Sequence, residues 1–242
     1  MHNVNLVREG NHDGFLKRHL NELYWRAIAQ PRILKLVREA VGNQQMSGYE
    51  TFTLVRFLLR AAPRQAVEIG SFCGVTSKVL AWHLREYVPG AQLFCIDPFE
   101  TEKEHTAYYR ERFTEKHLGF DFEEMFDKNV KDFSDVVVKI KGYSDTAELP
   151  ETLSPDFLFI DGDHSFEGVK HDILRYVPMV NVGGYICFHD FAPGRSGVLR
   201  ALLETIWPAP NNLYYQLRAH ENSLLVLQKV AETPPQGFVD PI

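Results

Sequence analysis

The spacing of apolar residues changes near residue 64, and the change predicts two kinds of structure. Before it, residues 14–61 carry apolar side chains at helical spacing. Three helices are predicted there: FLKRHLNELYWRAIA, a second that Pro31 can open, and YETFTLVRFLLRAA after Gly48. After it, short apolar runs alternate with helical stretches as far as about residue 207. Strands that alternate with helices predict a parallel sheet wound on both faces.

Five of the short apolar runs are typical of strands in such a sheet: QAVEIG, QLFCID, VVVKI, DFLFID and GYICFHD. LYYQLRAHENSLLVLQKV predicts two more strands around a His220-Glu221-Asn222 turn, which would add an antiparallel hairpin. Residues 101–131 are charged and aromatic, and they predict one or two amphipathic helices over the edge of the sheet.

These elements together predict an α/β fold with a Rossmann-like, doubly wound, mostly parallel seven-stranded sheet that ends in an antiparallel hairpin. We expect three parts along the chain. An N-terminal helical cap covers residues 1–62, the domain that contains the sheet covers 63–230, and a Pro-rich tail covers 231–242.

Composition narrows the class of protein. The 242 residues are 45% hydrophobic and 24% charged with a formal net charge of −6, so the totals give no basic surface for nucleic acid. The N-terminal stretch lacks the apolar segment of a signal peptide, and no apolar run approaches the ~18 residues of a membrane span. Cys73, Cys95 and Cys187 lie in or beside apolar runs without CxxC spacing, which favours free thiols in a reducing compartment. We expect a cytoplasmic protein with neither nucleic acid nor membrane as a partner.

Polar groups follow every strand of the predicted parallel sheet. In such sheets ligands bind outside the carboxyl ends of the strands, where the strand order reverses. One polar strand end would be unremarkable, but several together indicate a site. The segments concerned are Glu68–Gly74, Asp97–Glu100, Gly142–Asp145, Asp161–His164 and His189–Asp190.

The first two strand ends each allow two interpretations. In EIGSFCGVTS, Gly70 and Gly74 would let a ligand approach the main chain, or they would form a tight turn with Thr76 or Ser77 as helix cap. Asp97 lies 27 residues beyond Gly70, where a carboxylate can accept both hydroxyls of a ribose, although it could also be a turn residue before a proline. The glycine turn one strand earlier favours the ribose.

The segment from Val67 to Phe191 resembles class I S-adenosylmethionine-dependent methyltransferases. More narrowly, it resembles the metal-dependent small-molecule O-methyltransferases that carry a DGDHSxEGVxxD signature. The resemblance depends on EIGSFCGVTS, on IDPFE and on DFLFIDGDHSFEGVKHD with GGYICFHD. It implies S-adenosylmethionine as cofactor, with Asp97 on the ribose, Ser144 and Asp145 near the adenine, and Phe99 or its neighbourhood on the purine. The implied cofactor-binding residues are Glu68, Gly70, Ser71, Gly74, Thr76, Ser77, Asp97, Phe99, Ser144, Asp145 and Asp161.

Asp161, His189 and Asp190 come from adjacent strand ends and could converge on one divalent metal. Carboxylate oxygens suit Mg²⁺ or Mn²⁺. The related families carry two acids, or an acid and an amide, on the fifth strand, and here His189 stands at the first of those positions. Imidazole tolerates Mn²⁺, Fe²⁺ or Zn²⁺ better than Mg²⁺, and His189 could instead orient a ligand without binding the metal itself.

His164 follows Asp161 by three residues, and the related enzymes use a histidine at this spacing as a general base. An imidazole whose pKa lies near neutrality suits that task. The alternative is a cap for the next helix, which we prefer for Asp163 and Ser165 but not for His164. Asp172 and His171, farther along that helix, are expected to face solvent or to be structural.

We therefore predict a methyltransferase that transfers a methyl group from S-adenosylmethionine to a hydroxyl of a small molecule, such as a sugar, a glycoside or another natural product, with His164 as the base. The rivals are a metallohydrolase built on the acidic cluster, a non-catalytic S-adenosylmethionine-binding protein and a helper of another enzyme. The hydrolase would use Asp161, Asp163, His164, His189 and Asp190. Helical additions of this kind often make dimer contacts in related enzymes, so a homo-oligomer such as a dimer is expected.

Overall fold

A computed structural model of the chain describes residue 27 and residues 30–42, 46–100, 121–193 and 196–232. Within these ranges seven strands form one sheet: β1 Gln65–Ile69, β2 Gln92–Asp97, β3 Val137–Lys141, β4 Phe157–Ile160, β5 Tyr185–Phe188, β6 Tyr215–Glu221 and β7 Leu224–Lys229. The α-helices of the same ranges are α1 Gln30–Arg38, α2 Gly48–Ala61, α3 Val75–Tyr87, α4 Phe122–Val130, α5 Phe166–Tyr176 and α6 Ser196–Thr205.

The strand order is β3-β2-β1-β4-β5-β7-β6. The first five strands pair in parallel, while β7 pairs antiparallel with both β5 and β6. This order confirms the predicted Rossmann-like sheet with its closing hairpin. The chain order reverses between β1 and β4, so the crevice expected for a ligand lies at the carboxyl ends of these two strands.

The central strands are buried on both faces of the sheet. Along β1, Ala66 belongs to the core cluster on one face and Val67 to the cluster on the other, and both are fully buried. Helices α1 to α4 contribute to the first cluster, and α5 and α6 contribute to the second. Strands covered on both faces have no polar side, which explains why β4 is the uninterrupted apolar run FLFI.

Helix α2 shares its core with the sheet. A capping box begins the helix, because the Ser47 side chain accepts from the Glu50 N–H and the Glu50 carboxylate accepts from the Ser47 N–H. Leu54 and Leu58 are fully buried in the cluster that also contains residues of β1, β4 and β5. Helix α1 carries Pro31 near its start, as predicted. The helix predicted over FLKRHLNELYWRAIA lies almost wholly outside the described residues.

The insert after β2 is described from residue 121 onward. Its helix α4 confirms an amphipathic element over the sheet edge, because Lys139 of edge strand β3 contacts both Glu123 and Asp127. Lys141 of β3 also contacts Glu123. Residues 101–120 of this insert lie outside the described part of the chain.

The hairpin turn differs from the predicted His220-Glu221-Asn222 turn. His220 and Glu221 belong to β6, where they pair with Leu225 and Leu224. The chain reverses at Asn222 and Ser223, and Asn222 takes the left-handed φ of 53° that asparagine tolerates in tight hairpins. The prediction was wrong because β6 is an edge strand, and its polar exposed side chains resemble those of a turn.

Two further expectations concern the cysteines and the membrane-spanning segments. The three cysteines are free and buried, as predicted. None of the helices in the described ranges is both long and apolar enough to cross a membrane.

If α2 and the sheet share one core, truncating a buried α2 side chain should destabilise the whole domain. We expect Leu58→Ala to lower the free energy of unfolding by about 2–5 kcal/mol, because a cavity would open in the shared core. Tyr49→Ala, on the same helix but at a side chain that is 62% exposed, should change it by less than about 0.5 kcal/mol. Urea unfolding followed by circular dichroism and by fluorescence should give coincident transitions. An early separate melting of α2 in Leu58→Ala would contradict the shared core.

Candidate active site

The loop after β1 touches the end of β4. Gly70 has a φ of 85°, and a Cβ at this position would lie 2.1 Å from the backbone oxygen of Asp161. Gly74 has a φ of 77°, and a Cβ there would meet Phe126 at 2.8 Å. Both glycines are therefore required by the close approach of other parts of the chain. The same contact brings the predicted cofactor loop directly beside the predicted metal ligands.

Gly74, and neither Thr76 nor Ser77, is the N-cap of α3. The alternative interpretation, a cap from the Thr76 or Ser77 side chain, is therefore wrong, because Gly74 occupies the N-cap position with a left-handed φ. No side chain of the described residues caps this end. The N–H groups of the first turn of α3 lie just beyond the carboxyl end of β1, and Gly74 has no side chain to cap them.

Glu68 makes hydrogen bonds that hold the loop after β1 in place. It is fully buried and accepts hydrogen bonds from the hydroxyls of Ser71, at 3.0 Å, and of Ser77. Burial raises the pKa of Glu68 to about 7, although the two serine hydroxyls lower it. Its Oε1 has no hydrogen-bond partner in the described part of the chain. Ser71 and Ser77 thus hold Glu68, and Ser77 is itself fully buried.

Asp97 fixes two backbone segments at the end of β2. Its Oδ2 accepts from the Phe72 N–H at 2.8 Å, and its Oδ1 accepts from the Phe99 N–H at 2.6 Å. Phe72 and Phe99 both have positive φ values, 48° and 53°, so the carboxylate stabilises strained backbone on either side. The Phe99 ring is 5% exposed and packs on Phe126 at 4.8 Å between centroids. Its stacking on a purine stays a prediction, and this packing gives it no support.

Ser144 and Asp145 follow β3, at the same end of the sheet as Asp97. The Ser144 carbonyl accepts from Arg175, at 2.5 Å, and from the Tyr176 hydroxyl, at 2.7 Å, so α5 fixes this segment. Asp145 is exposed. The predicted role of both residues near an adenine stays a prediction.

Asp172 on α5 is a buried acid that the sequence reasoning placed only as solvent-facing or structural. It is 1% exposed, so the solvent-facing alternative is wrong, and its Oδ1 has no partner among the described residues. Burial raises the pKa of Asp172 to about 7, partly offset by a hydrogen bond with Ser144. The signal was present in the sequence, because Asp172 lies three residues after Val169 on the stripe that buries Ile173.

Two acids and two histidines converge where β4 and β5 end. The Nε2 atom of His164 lies 2.9 Å from Asp190 Oδ2 and 3.6 Å from Asp161 Oδ1. The Nδ1 atom of His189 lies 3.1 Å from Asp161 Oδ1 and 3.4 Å from Asp190 Oδ2. The fold thus brings together all four residues that the sequence predicted for the metal and the base.

The charges in this cluster perturb one another strongly. Burial lowers the pKa of each histidine, but the carboxylates of Asp161 and Asp190 outweigh it and raise the pKa of His164 to about 9 and that of His189 to about 10. Burial raises the pKa of Asp190, but the two imidazoles outweigh it and hold that pKa far below its usual range. Asp190 also takes a φ of 56°, a strained conformation of the kind that collects at functional sites.

The donor set fits a divalent cation. Asp161, His164 and Asp190 each offer a ligand atom, and these atoms lie within 4.8 Å of one another. Despite its short contact with Asp190, the buried Nε2 of His164 makes no aligned hydrogen bond within the described residues. Oxygen and imidazole ligands together suit Mn²⁺, Fe²⁺ or Zn²⁺, and the carboxylates alone suit Mg²⁺.

The helix after β4 begins as predicted. Ser165 is the N-cap of α5 and accepts from the Gly168 N–H at 3.1 Å. Asp163 accepts from both the N–H and the hydroxyl of Ser165. These two polar residues are therefore accounted for by local structure, whereas His164 between them points to the acids.

Two residues beside the cluster were missed by the sequence reasoning. Glu50, at the start of α2, lies 3.7 Å from His189 Nε2, and the Ser223 hydroxyl lies 3.4 Å from the same nitrogen. The Ser47-x-x-Glu50 pattern is a sequence signal for a helix start, but nothing local indicates that this helix start reaches the end of β5.

Residues 67–191, slightly more than half of the chain, match the family model described as a methyltransferase domain. Among curated proteins, the uncharacterized protein R132 of Acanthamoeba polyphaga mimivirus is 38% identical over 92 residues. That alignment covers 36% of this chain and 39% of the viral protein, so the chain spans well under half of the length of this relative.

Solved structures of O-methyltransferases share the fold. The O-methyltransferase NovP superposes with a TM-score of 0.58 at 18% identity, over 78% of this chain and 82% of that one. CalS11, a TDP-rhamnose 3'-O-methyltransferase of calicheamicin biosynthesis, gives 0.54 at 15% identity, over 82% and 92%. An O-methyltransferase from Bacillus cereus in complex with SAH gives 0.54 at 14% identity, over 84% and 90%. At these identities the likeness shows the fold alone.

The contact between Gly70 and Asp161 can be tested with a matched pair of glycines. Gly90 has nearly the same φ as Gly70, 83° against 85°, but no described atom lies within 4 Å of a Cβ built there. We expect Gly90→Ala to cost about 1–2 kcal/mol of unfolding free energy from backbone strain alone. Gly70→Ala should cost at least about 3 kcal/mol more or prevent folding, because its methyl group would overlap the Asp161 carbonyl. Equal midpoints of urea unfolding for the two variants would contradict the contact.

Proposed function

The chain belongs to the methyltransferase domain family, and from that membership we propose that it transfers a methyl group from S-adenosylmethionine to a hydroxyl oxygen of a small molecule, aided by a divalent cation. One observation carries the proposal. The glycine loop after β1 and the acid–histidine cluster after β4 and β5 are in backbone contact at Gly70 and Asp161. A methyl donor on the first would lie beside an acceptor on the second, and such alignment is the main requirement of an in-line transfer.

The predicted cofactor residues support binding of the nucleoside and of the amino acid. Asp97 lies at the carboxyl end of β2, beside the glycine loop that it contacts through the Phe72 N–H, and a carboxylate at that place can accept from ribose hydroxyls. The uncapped first turn of α3 offers N–H groups and a positive dipole end to a carboxylate. S-adenosylmethionine would supply the methyl group on a sulfonium centre.

We assign the cation to Asp161, Asp190 and His189. His164, whose ligand atom also lies within 4.8 Å of those of both acids, would stay unbound beside them as the base. His189 is the more buried of the two imidazoles, with 7% of its side chain exposed, and its Nδ1 faces both carboxylates. When bound, a divalent cation would lower the pKa of a hydroxyl that contacts it and fix the orientation of that hydroxyl. Mn²⁺ suits this mixed donor set better than Mg²⁺ does.

His164 would serve as the general base once the cation is bound. Without the cation, burial lowers the pKa of His164, but Asp161 and Asp190 outweigh it and raise that pKa to about 9. The positive charge of a cation on these two carboxylates would lower that pKa again, so that Nε2 could accept a proton. The His164 side chain is 29% exposed, so it can reach a bound acceptor, and its Nε2 has no aligned hydrogen bond in the described part of the chain. The hydroxyl oxygen would form its bond to the methyl carbon as the carbon–sulfur bond breaks, and the hydroxyl proton would pass to His164 Nε2. S-adenosylhomocysteine is the other product.

For the acceptor we propose a molecule with two adjacent oxygens, such as a sugar or a glycoside of a natural product. Two carboxylates and an imidazole leave coordination positions for a pair of substrate oxygens on the same cation. CalS11, which shares the fold, acts on TDP-rhamnose. The helical segment before residue 62 and the 101–131 insert would select among such acceptors.

The first test of this function is calorimetric titration of S-adenosylhomocysteine into metal-stripped protein. We expect one site of micromolar affinity. Asp97→Asn should weaken it at least tenfold, because its amide nitrogen cannot accept from a ribose hydroxyl. Asp135→Asn is the matched control, since Asp135 lies just before β3, at the amino ends of the parallel strands and away from the proposed site. Folded wild-type protein that does not bind would rule out the methyltransferase and favour the metallohydrolase.

Mn²⁺ titration can separate the ligands from the base. We expect Asp161→Asn to weaken Mn²⁺ binding at least tenfold, while His164→Gln stays within about threefold of wild type. With an acceptor that is turned over, His164→Gln should lower kcat by about 10²–10⁴. Equal loss of Mn²⁺ affinity in both variants would make His164 a ligand and leave the base unassigned.

A further inference from the structure

Glu50 links three segments that are distant in sequence. Its carboxylate is 4% exposed and lies between the start of α2 and the turn from β6 to β7. Its Oε2 accepts from the Ser47 N–H at 2.8 Å. Its Oε1 accepts from the N–H and from the hydroxyl of Ser223, at 2.8 and 2.7 Å. Asn222 joins the link by donating to the Ser47 hydroxyl at 3.1 Å.

The His189 ring separates this link from the acidic cluster. Its Nε2 lies 3.4 Å from the Ser223 hydroxyl and 3.7 Å from Glu50 Oε1. Its Nδ1 lies 3.1 Å from Asp161 Oδ1. The ring therefore has a carboxylate on each side, and its two nitrogens face different groups.

The direction of the Ser223 hydroxyl hydrogen determines whether His189 Nε2, the ring nitrogen that faces Ser223, carries a hydrogen. Serine has one hydroxyl proton, and an ionised carboxylate can only accept. Glu50 accepts from two backbone N–H groups and from the Ser223 hydroxyl, which are the contacts of an ionised carboxylate. The hydroxyl proton of Ser223 goes to Glu50 Oε1 at 2.7 Å, so its oxygen can interact with His189 Nε2 only as an acceptor. Nε2 must then carry a hydrogen.

We propose that Glu50 is a positioning residue for His189. Acting through Ser223, it holds the hydrogen on Nε2 and the ring in place, so that Nδ1 faces Asp161 and Asp190. A histidine that binds a metal through one nitrogen commonly donates its other N–H to a group that fixes its tautomer and orientation. The inference rests on the proposed function, because it makes Nδ1 the third ligand of the proposed cation.

The arrangement of Ser223, His189 and Asp161 also resembles a serine-hydrolase triad in outline. Two contacts argue against that role. The Ser223 hydroxyl donates to Glu50 and not to His189, and the Ser223 N–H is held by the same carboxylate. A nucleophile would need its hydroxyl hydrogen directed to the imidazole. A fluorophosphonate probe should therefore leave Ser223 unlabelled, and labelling would overturn the positioning role.

The test compares four variants of the full chain. Glu50→Gln and Ser223→Ala break the link to His189, and Ser223→Thr keeps a hydroxyl there. Ser47→Ala is the control, because it removes the helix cap and the Asn222 contact but leaves Glu50 on Ser223. Each variant is measured for its thermal midpoint, for Mn²⁺ affinity by calorimetry and for the His189 ring nitrogens by ¹⁵N NMR, with His189→Gln to assign the signal.

We expect Glu50→Gln and Ser223→Ala to weaken Mn²⁺ binding about 10-fold or more, as loss of an orienting partner does. Both should also shift the Nε2–H signal of His189. Ser223→Thr should bind Mn²⁺ like wild type. Ser47→Ala should lower the thermal midpoint yet keep the Mn²⁺ affinity within about twofold of wild type, since the cap does not touch His189.

Two outcomes would overturn the positioning role. In one, Glu50→Gln and Ser223→Ala lower only the thermal midpoint and match Ser47→Ala in Mn²⁺ affinity, so that Glu50 is a helix cap alone. In the other, wild type binds S-adenosylhomocysteine but no Mn²⁺, and the His189 signal is unchanged in Ser223→Ala. No binding of S-adenosylhomocysteine would instead refute the proposed function, which the titration reports separately.

Discussion

The structure must hold several carboxylates together at the carboxyl ends of strands that are buried on both faces of the sheet. Glu68, Asp97, Asp161, Asp190 and Glu50 all lie near the carboxyl ends of the central strands. Burying a charge without a partner costs several kcal/mol, so each acid needs its own compensation. Asp97 receives two backbone N–H groups, Glu68 two serine hydroxyls, and Asp190 two imidazoles. The loop conformations of the site follow from these pairings.

The buried atoms that make no aligned hydrogen bond are informative for the same reason. Within the described residues these include Glu68 Oε1, Asp172 Oδ1 and His164 Nε2, although the last lies 2.9 Å from Asp190 Oδ2. Two of the three belong to side chains that line the predicted cofactor loop or the acid–histidine cluster. Buried polar groups are rarely left unsatisfied in native proteins, and those that are usually mark a ligand, an ion or a catalytic role. The buried atoms that lack an aligned hydrogen bond thus indicate a site at the carboxyl ends of the strands, where the strand order also predicts one.

The sequence predicted most of the strands and of the cluster because both are local patterns. An uninterrupted FLFI predicts a strand covered on both faces, and an acid directly after it predicts a polar strand end. The prediction failed where the deciding contact is not local. The turn at Asn222 was misplaced because an edge strand can be polar without being a turn, and Glu50 was missed because its partner Ser223 is 173 residues away. Asp172 was predicted to be solvent-facing or structural although it lies on the buried stripe of α5, because an aspartate is rarely buried in the core of a protein.

The flanking segments also explain why a histidine fits at position 189. Glu50 and Ser223 both lie outside residues 67–191, the part that matches the family model. With Glu50 Oε1 3.7 Å away on one side and Asp161 3.1 Å away on the other, an acid at position 189 would add a third carboxylate between two others. Like charges at such distances repel one another strongly in a buried site. An imidazole can donate to the outer group and still present a nitrogen to the inner one, so histidine is the side chain that this arrangement of acids accommodates.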